Sequence, residues 1–252
     1  MPYPKISVII PTVHNHTIKR ALTSIATQNA SDLSAVEVFV IRDGQAPFTR
    51  QELGSYPFTL HLLGLLPGQG AAGARNVGLH FSSGKYIAFL DDDDEWLPNH
   101  LALTIPLVEK TQGIVFTDAE LYHVQEGWHE PFRFQYQPSM LTKTSPVIPS
   151  TLVTTRATFE EIEIGYFDTQ IPAYSDWDWI LRASRRGVPI TRLPEITANY
   201  YFSIDSTSSR PCKMAPELRK LRSKHHLGPV PVANFAKMMT DPWFAKWRIP
   251  GP

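Results

Sequence analysis

Cysteine is all but missing from this chain: Cys212 stands alone among 252 residues. A single cysteine excludes an internal disulfide and any cysteine-based metal site, and it fits a reducing compartment. Long apolar runs are missing as well. None approaches the roughly 20 residues of a membrane-spanning helix. The opening Met1-Pro2-Tyr3-Pro4-Lys5 lacks the charged-then-apolar layout of a secretory signal, so a cytoplasmic protein is expected. Net charge is absent too, with 24 basic residues against 24 acidic ones. No global field therefore draws in nucleic acid. What is left is an ordinary globular composition, 42% apolar and 19% charged, in a chain long enough to bury a full core. Proline is plentiful, and its 22 residues crowd the second half and the tail, where long loops are expected.

Against this neutral background, five acids stand in a row, Asp91-Asp92-Asp93-Asp94-Glu95, directly after the apolar run Tyr86-Ile87-Ala88-Phe89-Leu90. The run reads as a buried strand. Its C-terminal end is where open α/β sheets place ligands. Two unit charges about 4 Å apart repel by roughly 4 kcal/mol at an effective dielectric near 20. The side chains must splay apart or share a cation. In an extended segment Asp91 and Asp93 share one face, Asp92 and Asp94 the other. A pair of carboxylates suits a hard divalent ion, Mn²⁺ or Mg²⁺, which shares its oxygen ligands with phosphates. The alternative is a solvated acidic turn before a helix beginning near Leu97-Pro98, since acids favour helix starts.

The rest of the first half alternates strand and helix. Strands are expected over residues 5–10, stopped by Pro11, then 36–41, 58–63 and 85–90. Helices are expected from Thr17 to about Gln28, from a small-residue loop at Gly70–Gly73 to about Phe81, and over residues 99–110. That order argues a parallel, doubly wound sheet. Residues 113–117 form another strand, after which residues 118–149 read as irregular. A strand over residues 150–155, a short helix near 157–163, a strong helix over 176–186 and two late strands, 190–193 and 196–201, complete the pattern.

Four segments fall at the ligand edge. They are Pro11-Thr12-Val13-His14-Asn15, Asp43-Gly44, Gly70 through Gly78, and the acidic run. Thr12 and Asn15 can line a base pocket, and Asp43 can accept hydrogen bonds from a base or ribose. The plainer reading of Asp43 is an Asp-Gly turn. The glycines let the backbone approach a phosphate at a helix start, and Arg75 adds a bidentate contact. Equally, small residues there pack a helix tightly on the sheet, with Arg75 on its surface. Together the four segments outline a nucleotide cleft.

The order of these segments resembles the family-2 glycosyltransferases. The resemblance rests on Ser7-Val8-Ile9-Ile10-Pro11-Thr12, on Gly70, Ala74, Arg75, Asn76 and Gly78, and on Phe89-Leu90-Asp91-Asp92-Asp93-Asp94 with Trp96 and Pro98. Further on it includes Gly165-Tyr166-Phe167-Asp168 and Ser175-Asp176-Trp177-Asp178-Trp179. It covers about residues 4 to 205. It implies a GT-A fold: a Rossmann-like α/β domain with a mostly parallel central sheet flanked by helices. Residues 1–117 would bind a nucleotide sugar, UDP- or GDP-linked, and residues 118–205 the acceptor. Residues 206–252 form a C-terminal extension. The resemblance makes Asp91 and Asp93 the metal pair, with Asp92 beside the nucleotide. Asp176 becomes the catalytic base of an inverting transfer to a carbohydrate or lipid-linked hydroxyl, with Ser150, Thr151, Trp177 and Asp178 on the acceptor side. Asp176 also suits a helix N-cap.

The chain departs from the family pattern at Arg42-Asp43, where two acids are usual, and at Ser175, where Glu is usual. It also lacks a metal-binding His in Tyr200-Tyr201-Phe202-Ser203-Ile204. Two rivals stand beside the transferase: a nucleotidyltransferase or other phosphate-handling enzyme, and a non-catalytic sugar-nucleotide binder. The basic and aromatic tail, Lys213 to Trp247, reads as a solvated helix and a segment packed on its own domain or on a second subunit. The sharper alternative is a peripheral contact with the inner face of a membrane.

Overall fold

The computed structural model describes residues 5–13, 16–29, 32–161, 164–204 and 211–250. Strand β1 (Ile6–Thr12) leads into α1 (Ile18–Ala26), then β2 (Val36–Asp43), the single turn α2 (Arg50–Leu53), β3 (Thr59–Leu65) and α3 (Gly70–Phe81). Next come β4 (Tyr86–Phe89), the two-residue β5 (Glu95–Trp96), α4 (His100–Thr111), β6 (Ile114–His123), β7 (Trp128–Phe132) and β8 (Leu152–Thr155). The chain closes with α5 (Arg156–Glu160), α6 (Ser175–Arg185), β9 (Ile190–Phe202), α7 (Pro211–His225) and α8 (Phe235–Thr240).

Among the described residues all nine strands join one sheet in the order β3-β2-β1-β4-β8-β6-β9-β5, with β7 paired to β6. The ladder β3-β2-β1-β4 is parallel, and β8 runs against both β4 and β6. β9 runs parallel to β6. Six strands (β1, β2, β3, β4, β6 and β9) therefore point one way, and β5, β7 and β8 point the other.

Strands β1, β2 and β4 are buried on both faces, which is why apolar residues dominate them; the buried Ser7 and Glu37 among them bond each other. Ile6, Val8 and Ile10 of β1 pack with α1 and α4, whereas Ile9 packs with α3 and α6. A third apolar cluster joins Leu121 and Phe132 to Met238 and Phe244 of the C-terminal segment. Met214, Leu218 and Leu221 of α7 lie in the cluster that holds α6. Trp243 and Trp247 pack half-buried against the third cluster. The tail's aromatics are thus used on its own domain. Among the described residues no helix is long and apolar enough to cross a membrane.

Several expected boundaries shift for physical reasons. β1 runs through Pro11 to Thr12 rather than stopping before it. The carbonyl of Ile9 accepts from Leu90, so Ile9 and Pro11 both face β4, and the β4 ladder has ended by Pro11. The missing proline donor costs no ladder bond there. The two late strands are one. Leu193 pairs Thr117 and Ile196 pairs Asp118, so Pro194 and Glu195 bulge between them. Only the later part of the stretch expected to be irregular is so: β6 continues to His123 and turns back as β7 to Phe132, and residues 133–148 then carry no strand or α-helix. The glycines from Gly70 to Gly73 begin α3 itself rather than a loop before it.

Gly78 sets how closely α3 approaches the sheet. A methyl group there would sit 2.5 Å from Ile9 Cγ2 and 3.0 Å from Ile41 Cδ1. Gly78→Ala should therefore destabilise by about 1–3 kcal/mol through overpacking. A lower urea midpoint at unchanged slope would show it.

Candidate active site

β4 delivers the acids to the C-terminal edge of the sheet, and Asp94 N returns to Asp91 O at 3.1 Å. The segment is therefore a turn, not an extended strand. Burial still alternates: Asp92 and Asp94 are buried, while Asp91 and Asp93 are half-buried. Three of the four carboxylates are engaged. Thr12 Oγ1 donates to Asp92. Asp94, fully enclosed, accepts from Ser150 Oγ and, at 3.0 Å, from Tyr201 N. Burial, then the charges of Asp93 and Asp91, raise its proton affinity well above a normal carboxylate's. Asp91 pairs with Arg75.

Asp93 differs. Burial first, then the charges of Asp91 and Asp92, push its pKa up to about 7. The nearby guanidinium of Arg20 donates to its backbone carbonyl and not to its carboxylate. Arg20 also lies 3.7 Å from the centre of the Tyr201 ring and 3.8 Å from Glu95.

Asp176 lies in the first turn of α6. Tyr174 takes the N-cap position, so Asp176 does not cap the helix. Burial raises the Asp176 pKa; the backbone at Trp177 and the charge of Arg75 oppose the rise, and Asp91 adds to it. Asp176 thus stands close enough to the acidic turn to feel both members of the Arg75–Asp91 pair. It lines a cleft walled by Tyr174, Trp177, Met214 and Met238, and it also lines a smaller hollow beside Phe89 and Trp179. It is packed within protein yet half-open along those two surfaces.

The structure changes the meaning of several expected site residues. Arg75 is buried rather than on the helix surface; its Nε has no hydrogen-bond partner, and its charge is met by Asp91. The neighbouring Asn76 clasps Phe167 by two 2.9 Å bonds, joining α3 to the Gly165-Tyr166-Phe167-Asp168 segment. Asp43 accepts from Gln69 N at 3.2 Å and Gly70 N at 2.8 Å, tying β2 to the start of α3. Gly70 itself has φ +62°, which a side chain would strain. Pro11 is buried beside Thr12 at the end of β1, and Asn15 lies outside the described residues.

Three of the residues expected on the acceptor side are engaged within the protein. Ser150 serves the acidic turn, since its Oγ also receives Asp91 N at 3.0 Å. Thr151 is buried and donates to Ile148 O at 2.8 Å. Asp178 is fully buried and turned toward α7, where Arg182, Lys224 and His225 hold it. Only Trp177 of that group lines the cleft, while its indole N–H donates to Leu141 O at 2.8 Å.

Arg20, Tyr201 and the C-terminal residues on the cleft, such as Met214 and Met238, were not marked by the sequence. No motif flags them, because each reaches the site from a distant element.

A divalent cation fits this donor set at one place. Among the described residues no three His, Cys, Asp or Glu side chains converge as a metal-binding group. Asp93, however, is crowded by anions; among the described residues no cationic side chain pairs with its carboxylate, and the charge of Arg20 acts on it from the backbone side. An ion held by one or two carboxylates, water and a substrate diphosphate needs no more from the protein.

A mostly parallel sheet with acids at its C-terminal edge and a carboxylate-lined cleft beside them define a glycosyltransferase of the GT-A fold. S. aureus TarS 1–349 in complex with UDP-GlcNAc superposes with a TM-score of 0.67 at 17% identity, over 96% of this chain and 71% of that one. The mannosyltransferase PcManGT of Pyrobaculum calidifontis, in complex with GDP-Man and Mn²⁺, gives 0.66 at 18% identity, over 97% and 72%. The profile of Glycosyl transferase family 2 matches residues 7–162, and the chain belongs to that family. The uncharacterized glycosyltransferase YwdF of Bacillus subtilis is 30% identical over 94% of this chain and 90% of its own length. The Escherichia coli UDP-Glc:alpha-D-GlcNAc-diphosphoundecaprenol beta-1,3-glucosyltransferase WfgD is 35% identical, over 42% of this chain and 41% of its own. This chain thus spans well under two thirds of WfgD's length.

Proposed function

We propose that this glycosyltransferase is inverting and cation-dependent, moving a sugar from a UDP- or GDP-linked donor to a hydroxyl of a carbohydrate or lipid-linked acceptor. The observation that carries this reading is Asp176 itself, a carboxylate that lines the cleft and feels the charges of Arg75 and Asp91. An acceptor hydroxyl becomes a competent nucleophile when a positioned carboxylate takes its proton in the transition state. Asp176 takes that role, and attack from the face opposite the leaving diphosphate inverts the anomeric centre. Thr12, Asp43 and Asp92 lie at the nucleotide end, where strands β1, β2 and β4 finish. Asp93, with Asp91, would hold Mn²⁺ or Mg²⁺. Such an ion, when bound, offsets charge on a diphosphate as a Lewis acid. Complexes of the neighbours TarS and PcManGT with nucleotide sugars, one including Mn²⁺, support the donor class. WfgD's name supports a lipid-linked acceptor.

Release of UDP or GDP from a panel of nucleotide sugars, with and without acceptor, tests the reaction class. Pyrophosphate or phosphate as the product would overturn it. The cation assignment has its own test. Mn²⁺ should raise the melting temperature of the wild type in the presence of UDP or GDP. Asp93→Asn should remove that increment and lower transfer by about 10²-fold, the scale of losing one electrostatic stabiliser. Equal Mn²⁺ shifts in wild type and variant would move the ion elsewhere.

A further inference from the structure

Helix α6, which carries Asp176, begins without a cap of its own. Helix starts leave backbone N–H groups unmet, and a nearby side chain usually meets one of them. Here the turn Pro172–Tyr174 leads directly into α6, and neither Ile171 nor Tyr174, the two residues at cap positions, makes a side-chain cap bond. The bond comes from 44 residues further on: Ala173 N donates to Glu217 Oε2 of α7 at 2.5 Å. A carboxylate also suits the positive end of the helix that follows.

Glu217 is not an isolated contact. Lys220, Lys224 and His225 follow it by three, seven and eight residues, a spacing that places all four on one face of α7. Lys220 Nζ donates to Gln170 O at 3.2 Å, Lys224 Nζ lies 2.7 Å from both Asp168 and Asp178, and His225 Nε2 lies 2.7 Å from Asp178. These contacts run from Asp168 to Asp178 and so bracket Asp176. Burial first, then the charges of Asp176 and Glu217, raise the pKa of the Tyr174 hydroxyl, so both carboxylates stand within reach of that one group. The family profile ends at residue 162 and covers neither α6 nor α7.

We propose that α7 serves the active site as a positioning element, and that Glu217, by capping the turn that starts α6, fixes the direction in which the Asp176 carboxylate points. This assignment rests on the reading of Asp176 as the base. It gives the C-terminal extension a part in the reaction, although none of the four polar residues on that face needs to touch the substrate.

Glu217→Ala removes the cap, whereas Glu217→Gln keeps an oxygen that accepts the same bond. In the whole chain, amide hydrogen exchange reads the cap without any substrate. The amides of residues 173–177 should exchange about tenfold faster in Glu217→Ala and at the wild-type rate in Glu217→Gln. Release of the nucleotide diphosphate from UDP-glucose, UDP-GlcNAc or GDP-mannose, whichever the enzyme turns over fastest, reads the consequence. Glu217→Ala should lower kcat by about 10–10²-fold at unchanged donor KM, the scale of a misplaced reacting group. Glu217→Gln should restore most of kcat. In the Asp176→Asn background, Glu217→Ala should change the residual rate by less than about twofold, because residues that act as one unit are not additive. The melting temperature of each variant reports its folding. Unchanged exchange in Glu217→Ala, an undiminished kcat, or the same proportional loss with and without the Asp176 carboxylate overturns the proposal. With Asp176→Asn inactive, each of these results leaves the base reading standing. An Asp176→Asn enzyme with wild-type kcat overturns that reading and the proposal together.

Discussion

Asp176→Asn is expected to lower kcat for transfer by about 10²–10⁴-fold, the contribution of a positioned general base. The amide keeps the size of the side chain and removes its ability to take a proton. Donor affinity should change little, because the proposed nucleotide end lies where β1, β2 and β4 finish, away from Asp176 on α6. The pH profile carries a second signature. Burial raises the Asp176 pKa, with Arg75 and the backbone at Trp177 opposing. A base works only when deprotonated, so the acidic limb of the wild-type profile should lie above the range of an ordinary carboxylate. Activity should rise with pH through that limb, and residual activity of the variant should lack it. Stability gives a third signature. A charge buried for function opposes folding, so the variant should melt at the same temperature or slightly higher. Single-turnover release of the nucleotide diphosphate measures the first two effects, and calorimetric melting the third. A variant within about tenfold of wild type would remove Asp176 from the chemistry.

The parts of this architecture legible in the sequence are those that local pattern determines. Strands β1, β2 and β4 are legible because both their faces are buried, so apolar residues dominate each run and the polar Ser7 and Glu37 within them are buried as well. The acids after Leu90 were legible because like charges do not gather without a cause. Burial alternates through Asp91–Asp94 as side-chain geometry suggests, although the backbone there is a turn.

What local pattern could not supply was the choice of partner. Ser150 lies 56 residues from Asp94 and 59 from Asp91, and nothing in its own neighbourhood says that it holds them. Asp43 looked like a turn or a base contact, and its carboxylate instead clasps the start of α3, 27 residues on. The β6–β7 hairpin was obscured by aromatics on both faces. The bulge at Pro194 reads in the sequence as a gap between strands, because a proline breaks the pattern whether or not the ladder continues beyond it.

Asp178 carries the largest expected effect on stability. Its sequence position, two residues after the proposed base, suggested an acceptor contact. Instead its carboxylate is 0% exposed and joins α6 to α7. It accepts from Arg182 Nε at 2.9 Å, and Lys224 Nζ and His225 Nε2 each lie 2.7 Å away. Arg185 donates to His225 Nδ1 at 2.9 Å, which leaves the ring proton on Nε2 for Asp178. The hydrogen bonds from His225 and Lys224 and the charge of Arg182 outweigh burial and hold the Asp178 pKa down to about 2.

The sign of the pH dependence follows. The unfolded carboxyl titrates near its ordinary 3.8, so the stabilisation is present above that pH and is lost as pH falls toward 2. It amounts to on the order of 2 kcal/mol. Removing the carboxylate altogether costs more, because donors gathered around it are left buried. Asp178→Ala should destabilise by about 3 kcal/mol, a drop in melting temperature of roughly 6–12 °C for a chain of this size. Asp168 supplies the control. It too lies 2.7 Å from Lys224 Nζ, but that pair is partly exposed, at 26% and 38% of the two side chains. Asp168→Asn should cost less than about 1 kcal/mol. If the two substitutions proved equally costly, burial would not be what gives the Asp178 contact its strength, and α7 would be held chiefly by its apolar face, Met214, Leu218 and Leu221, and by the Arg185–His225 bonds.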